Sequence, residues 1–175
     1  MMGKRSDFKR RAQDAYYTPY EAVYPLLPFL GDVYQFAEPC AGDGRLIRHL
    51  ENHSLFCAYA ADISEGRDAL EWDGTPDAGT VDAIITNPPW TRAILHPMIR
   101  HFQQIAPTWL LFDADWMHTK QAAPFLGQCS HIVSVGRVKW IEDSPYTGKD
   151  NAAWYRFDAM HEDGPMFYGK QLEAA

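Results

Sequence analysis

The chain has 175 residues, 46% of them apolar and 22% charged, which suits one well-filled domain and leaves too little for two. A formal net charge of −7 argues against a protein that coats nucleic acid by bulk electrostatics, while leaving room for a local basic groove. Cys40, Cys57 and Cys129 are odd in number and widely spaced, without a CxxC pair. With the seven histidines they make no zinc set, so no metal is expected and a reduced cytoplasm fits. No signal-peptide core and no apolar run of membrane-spanning length is present, so no membrane partner is expected.

Residues 1–15 carry Lys4, Arg5, Lys9, Arg10 and Arg11 against Asp7 and Asp14, and read as a flexible basic arm. Such an arm is either simply solvated or a phosphate-contacting element. A domain is expected over 16–161, followed by a C-terminal tail over 162–175. At the domain's start, Thr18, Pro19 and Glu21 make a capping box that opens a helix, which Pro25 and Pro28 keep short or kinked. A cap does not need the preceding Tyr16 and Tyr17; they are either core or the lining of a ligand site.

Val33 to Ala37 reads as the first strand, followed by Glu38-Pro39-Cys40-Ala41-Gly42-Asp43-Gly44 and a helix from Leu46 to about His53. A strand, a Gly-x-Gly turn and a helix open a nucleotide-binding βαβ unit. Ile47 stands where a dinucleotide fingerprint has its third glycine, and Glu38 and Asp43 would repel a pyrophosphate. A glycine-lined yet acidic loop suits a cofactor with a cationic end and no phosphate, a description that S-adenosylmethionine meets. His49 and His53, four apart on the helix and outside any HExxH pattern, read as surface histidines.

A second strand, Leu55 to Ala61, ends in Asp62, placed to accept hydrogen bonds from ribose hydroxyls. Soon after comes Asp68, either an acceptor for an adenine amine with Leu70 or Trp72 against the ring, or a solvated acid. The gap between the two acids is too short for a full helix and strand, so this crossover is abbreviated.

Val81 to Thr86 is the next buried strand, and it delivers Asn87-Pro88-Pro89-Trp90 to the same carboxyl edge as the glycine loop. Two prolines stiffen the turn and remove two backbone donors. An Asn amide oxygen beside an open carbonyl gives two acceptors in one small volume, matching the two donors of an amine, and Trp90 offers a flat face for a ring. Alone, this tetrapeptide reads equally well as a turn with a core Trp; its convergence with the glycine loop and Asp62 on one edge favours the site.

Further on, an amphipathic helix spans Thr91 to Ile105, a strand Trp109 to Phe112 and a helix Thr119 to Leu126. Asp113 to Trp116 fall at that strand's end, again on the ligand edge. An antiparallel pair, His131 to Ile141 and Ala153 to Met160, encloses a polar loop. Arg137, Lys139 and Lys149, interleaved with Trp140, Tyr146 and Trp154, suggest either a surface that stacks single-stranded or flipped bases, or an ordinary solvated hairpin.

Together these residues resemble the class I S-adenosylmethionine-dependent methyltransferases that act on exocyclic amino groups, above all DNA adenine methyltransferases, and among them the small ones carried by bacteriophages and prophages. The likeness spans residues 16 to 160. It implies an α/β, Rossmann-like fold: a mostly parallel seven-stranded sheet, an abbreviated third-strand region, helices on both faces and a C-terminal antiparallel hairpin. It implies S-adenosylmethionine as cofactor, held by Tyr17, Thr18, Pro19, Glu38, Ala41, Gly42, Gly44, Asp62, Ile63, Asp68, Ala69 and Asn87. The catalytic motif is Asn87, Pro88, Pro89 and Trp90, with Trp where the family more often has Tyr or Phe. Substrate contacts fall on Trp116, Arg137, Lys139, Trp140 and Lys149, and the implied partner is nucleic acid, above all DNA, in a bacterial host's cytoplasm.

No separate target-recognition domain is visible, so specificity would come from short loops or be slight. RNA adenines and protein glutamine amides are alternative substrates within the same class, and a cofactor-binding module without catalysis is the alternative outside it. Ile47 and Asp43 disfavour a nicotinamide oxidoreductase.

Overall fold

The computed structural model describes residues 17–173. One sheet of seven strands organises them: β1 (Gln35–Glu38), β2 (Phe56–Ala60), β3 (Ala83–Thr86), β4 (Thr108–Asp113), β5 (Cys129–Arg137), β6 (Asn151–Phe157) and β7 (Met166–Tyr168). Their order across the sheet is β2-β1-β3-β4-β6-β5-β7. The pairs β1/β2, β1/β3, β3/β4 and β5/β7 are parallel, whereas β6 runs antiparallel to both β4 and β5. A mostly parallel sheet with a C-terminal antiparallel hairpin is the expected architecture.

The central strands are apolar because helices cover both faces. Every residue of β3, Ala83-Ile84-Ile85-Thr86, is buried. On one face lie α3 (Arg92–Ile105), a 3₁₀ helix (Ala114–His118) and α4 (Ala123–Leu126). Their Leu95, Ile99, Phe102, Trp116 and Phe125 pack on Ile84, Leu110 and Phe112. On the other, α1 (Tyr20–Val23), a 3₁₀ helix (Tyr24–Phe29) and α2 (Arg45–Glu51) set Ala22, Leu26, Leu46 and Leu50 against Phe36, Ile85, Trp109 and Leu111.

Four expectations change. The capping box does not form: Pro19 is the N-cap of α1, without a side-chain cap bond, and Thr18 and Glu21 are engaged elsewhere. The predicted brevity of this helix holds, with Pro25 and Pro28 inside the 3₁₀ continuation. The helix expected from Thr119 starts only at Ala123, because residues after β4 first wind into the 3₁₀ helix, capped by the Asp113 carboxylate on Asp115 N–H.

The tail expected from residue 162 contains β7 instead. It completes the edge beside β5, and the connection leading to it is pinned by Asp158 N–H to the Gln128 carbonyl and Gly164 N–H to the Gly127 carbonyl. The crossover between β2 and β3 is abbreviated as expected, to a 3₁₀ turn at Ile63–Glu65. Its later part reaches back to β2, where Asp77 and Ala78 N–H both donate to the Ala58 carbonyl. The seventh strand therefore lies at the C-terminal end of the chain and not in this third-strand region.

Candidate active site

Because β1 to β4 are parallel, their carboxyl ends share one edge, where Glu38, Asp62, Asn87 and Asp113 terminate or follow successive strands. The glycine loop lies across it. Gly42 and Gly44 have φ of +54° and +75°, a left-handed conformation that side-chain-bearing residues adopt reluctantly. The loop is stitched to the end of β2: Ala41 N–H donates to the Ala61 carbonyl, Ala61 N–H to the Glu38 carbonyl, and Gly42 N–H to Asp62 Oδ2 at 2.9 Å.

Asp62 is the joint of this arrangement. Its second oxygen takes Ser64 N–H at 2.9 Å. Partial burial works against its charge, but hydrogen bonds from Ser64 and Gly42 outweigh burial and hold the carboxyl below its usual range. A carboxylate has about four acceptor sites, so two N–H partners leave capacity for vicinal hydroxyls. Ile63 beside it is exposed, an apolar surface at the site's edge, whereas Ala69 is buried.

Glu38 is the second acid of this edge. It is buried at the end of β1, and burial pushes its pKa to about 8, with the Asp62 charge adding to the rise and Cys40 N–H opposing it at 3.0 Å. A carboxyl raised this far keeps its proton near neutral pH and is charged readily by a nearby cation. Asp43 is balanced by arginines: Arg45 Nη2 lies 3.4 Å and Arg48 Nη2 4.0 Å from its carboxylate.

Residues 17–21 hold the edge together. The Tyr17 ring packs over Gly42, and the Arg45 guanidinium lies over the same ring, 5.4 Å from its centroid. Tyr17 is thereby placed at the ligand loop; Tyr16 lies outside the described residues. Thr18, buried, accepts a hydrogen bond from Asn87 Nδ2 at 3.2 Å. Glu21 accepts one from Lys139 N–H at 2.6 Å. One short segment thus touches the glycine loop, the Asn-Pro-Pro-Trp turn and the late hairpin.

In that turn Pro88 is buried, and Asn87, Pro89 and Trp90 are half-buried. Trp90 Nε1 donates to Asn87 Oδ1 at 3.2 Å and to the Leu111 carbonyl at 3.1 Å. Its ring meets Trp140 edge-on, with centroids 5.6 Å apart and planes at 85°. Trp140 is in turn packed under the loop, since a Cβ on Gly148 would lie 3.1 Å from its Cδ1. Asn87, Trp90 and Trp140 are therefore contiguous, and Thr18 joins Asn87 to the segment whose Tyr17 packs on the glycine loop.

Several expected contacts are not made. Trp116 is buried in the core, its indole donating to His96 Nε2 at 3.0 Å, and cannot meet a substrate. Trp72 is likewise buried, stacked on Tyr59 with centroids 4.2 Å apart, so it is not a wall for an adenine ring. Trp154 is core and bonds the Ala22 carbonyl. Asp68, in contrast to these, is exposed, and its carboxylate takes Leu70 N–H at 2.9 Å while staying accessible.

Arg137, Lys139 and Lys149 are exposed, but Glu142, Asp143 and Asp150 share their loop and cancel its charge. Arg45 and Glu142 escaped the sequence reading. They meet at 3.0 Å across 97 positions, joining the glycine loop to the hairpin. Nothing in local sequence marks a partner that distant. Among the described residues no group of three His, Cys, Asp or Glu side chains could hold a metal ion, and no helix is long and apolar enough to cross a membrane.

No family model and no curated protein matches the chain. Solved structures do. One is a candidate RNA methyltransferase from Pyrococcus horikoshii, at TM-score 0.58 and 18% identity over 89% of this chain and 93% of that one. A second is a candidate class I S-adenosylmethionine-dependent methyltransferase from Listeria monocytogenes, at TM-score 0.58 and 12% identity over 93% and 68%. A third is the type IIG restriction endonuclease BpuSI, at TM-score 0.53 and 12% identity over 83% and 26%. At such identities the likeness is one of fold: the chain has the Rossmann-like architecture of class I methyltransferases.

Proposed function

We propose that this protein is an S-adenosylmethionine-dependent methyltransferase that methylates the exocyclic amine of adenine in DNA, with the target base turned out of the stack. The observation that carries the reading is Asn87: a hydrogen-bonded amide in a two-proline turn, on the sheet edge that also bears the glycine loop and Asp62. The fold shared with methyltransferases supports it.

The donor set fits the cofactor. Asp62 serves the ribose hydroxyls, and the loop through Ala41, Gly42 and Gly44, closed by Tyr17, Thr18 and Pro19, encloses the amino-acid end. Glu38 answers its ammonium, while Ile63, Asp68 and Ala69 border the adenine side. When bound, S-adenosylmethionine supplies an electrophilic methyl group on a positively charged sulfur.

The chain's own work is to hold an amine. An amine on an aromatic base is a poor nucleophile because its lone pair is delocalised. Asn87 Oδ1 and the Pro88 carbonyl accept its two hydrogens, draw the nitrogen toward tetrahedral geometry and localise that lone pair. Held by Asp62 and the glycine loop, the cofactor would supply its methyl group to this nitrogen, and the surplus proton would pass to water. Trp90 and Trp140 wall the ring. Cys40 has no covalent part: burial, and then the Glu38 charge, push its thiol far above the nucleophilic range.

Asn87→Ala is expected to abolish methyl transfer while cofactor binding, measured by calorimetry, survives. The assay uses tritiated cofactor with DNA, RNA and protein pools, followed by nucleoside and amino-acid mass spectrometry. Label in N6-methyladenine of DNA supports the full reading. Label in RNA or glutamine keeps the amine-transfer chemistry and replaces the polymer. Undiminished transfer by the Ala variant removes Asn87 from the reaction.

A further inference from the structure

We infer that Trp90 is a positioning residue whose indole N–H fixes which way the Asn87 amide faces, in addition to presenting its ring. The inference rests on the amine-methylation reading and concerns how this chain prepares the acceptor.

Thr18 and Trp90 both touch the amide. Thr18 Oγ1 lies 3.2 Å from Nδ2, and Trp90 Nε1 lies 3.2 Å from Oδ1. They are not equivalent. A hydroxyl both donates and accepts, so Thr18 tolerates either end of the amide. An indole N–H only donates, so the atom in front of it has to be the amide oxygen. Of these two contacts, the one with Trp90 is selective for the orientation, and Thr18 conforms to it.

The indole is itself held. Its N–H is shared with the Leu111 carbonyl at 3.1 Å, which locates it against β4, and its ring packs on Trp140 and on both apolar layers of the sheet. With the amide reversed, an NH₂ group would confront the donor-only indole, and the oxygen that must receive an amine hydrogen would be turned away. An amide oxygen carries two lone pairs, so an indole on one is compatible with a substrate N–H on the other. Phe at this position has no donor. Tyr has one at the far end of its ring, on a different vector from Nε1. The Trp that departs from the commoner aromatic thus adds a function to ring stacking.

The test separates the N–H from the ring. Trp90 is replaced site-specifically by 3-benzothienylalanine, which keeps the bicyclic shape and has sulfur in place of N–H, and separately by Phe. Steady-state kinetics give kcat and KM for nucleic acid and cofactor, with cofactor Kd by calorimetry. Both variants are expected to lose about tenfold in kcat, with both KM values and the cofactor Kd within about twofold of the parent's. Parental kcat in the benzothienyl variant, or a loss confined to KM, overturns the inference. Absence of methyl transfer in the unmodified protein instead overturns the reading on which it rests, so the two failures are distinguishable.

Discussion

Glu38 shows how burial changes the meaning of a residue. In the sequence it is one of two acids in a glycine loop. In the structure its carboxyl is 1% exposed and its pKa sits near 8 instead of 4.5. With the folded value raised, the native state holds a proton that the unfolded chain has released. The associated stability is fully present below about pH 4.5 and is lost as pH rises through about 8. Glu38→Gln never ionises, so the cofactor-free variant is expected to gain on its parent by an amount on the order of a few kcal/mol between about pH 5 and about pH 8. Urea unfolding across that range checks the sign: the gap is expected to widen as pH rises, and a gap independent of pH would place Glu38 in solvent. The same substitution is expected to weaken cofactor binding, because an amide cannot become the counter-charge of an ammonium.

Among the elements, β7 carries the clearest consequence. Residues 162–175 have the composition of a tail, yet Tyr168 packs edge-on against Phe29, at 4.8 Å between centroids, and stacks on His131 at 5.3 Å. The Tyr24 hydroxyl donates to the Leu172 carbonyl beyond the strand. Tyr168→Ala is expected to lower stability by about 1–2 kcal/mol, read from urea midpoints at unchanged slope. A frayed tail would give no shift. Three residues are too few for a periodic signal, and the strand exists because β5 offers an open edge at the right place. The capping box failed for a related reason. Thr18 and Glu21 satisfy the local rule, but partners 69 and 118 positions away offer hydrogen bonds that also join loops.

For the molecule as a whole, charge decides what grip on a polyanion is available. The net charge is −7, and the late loop sets Arg137, Lys139 and Lys149 among three acids. Any contribution from this loop to nucleic-acid affinity is therefore local, from individual cations meeting individual phosphates. Replacing all three by Gln is expected to weaken DNA binding and to reduce the slope of log K against log salt by about 3 in magnitude, measured by fluorescence anisotropy. An unchanged slope would assign the three side chains to solvent. The Arg45–Glu142 pair, largely exposed on the glutamate side, ties this loop to the glycine loop by a bond worth little on its own.

The sequence by itself determined the fold class and which residues arrive at the strand-end edge. Buried strands are written as apolar runs, tight turns as glycines, and a two-proline turn after a strand as a rigid acceptor, because these depend on neighbouring residues alone. Strand boundaries were right to within a few residues for the same reason. Only the tertiary structure decided which aromatics stay partly open at the edge and which are core. Trp72, Trp90, Trp116, Trp140 and Trp154 look alike in the sequence, and burial sorts them: Trp90 and Trp140 meet at the site, and the other three fill the interior. Only the structure, too, turned Trp90 into a hydrogen-bond donor for Asn87, because that bond needs the Leu111 carbonyl of a different strand to hold the indole in place.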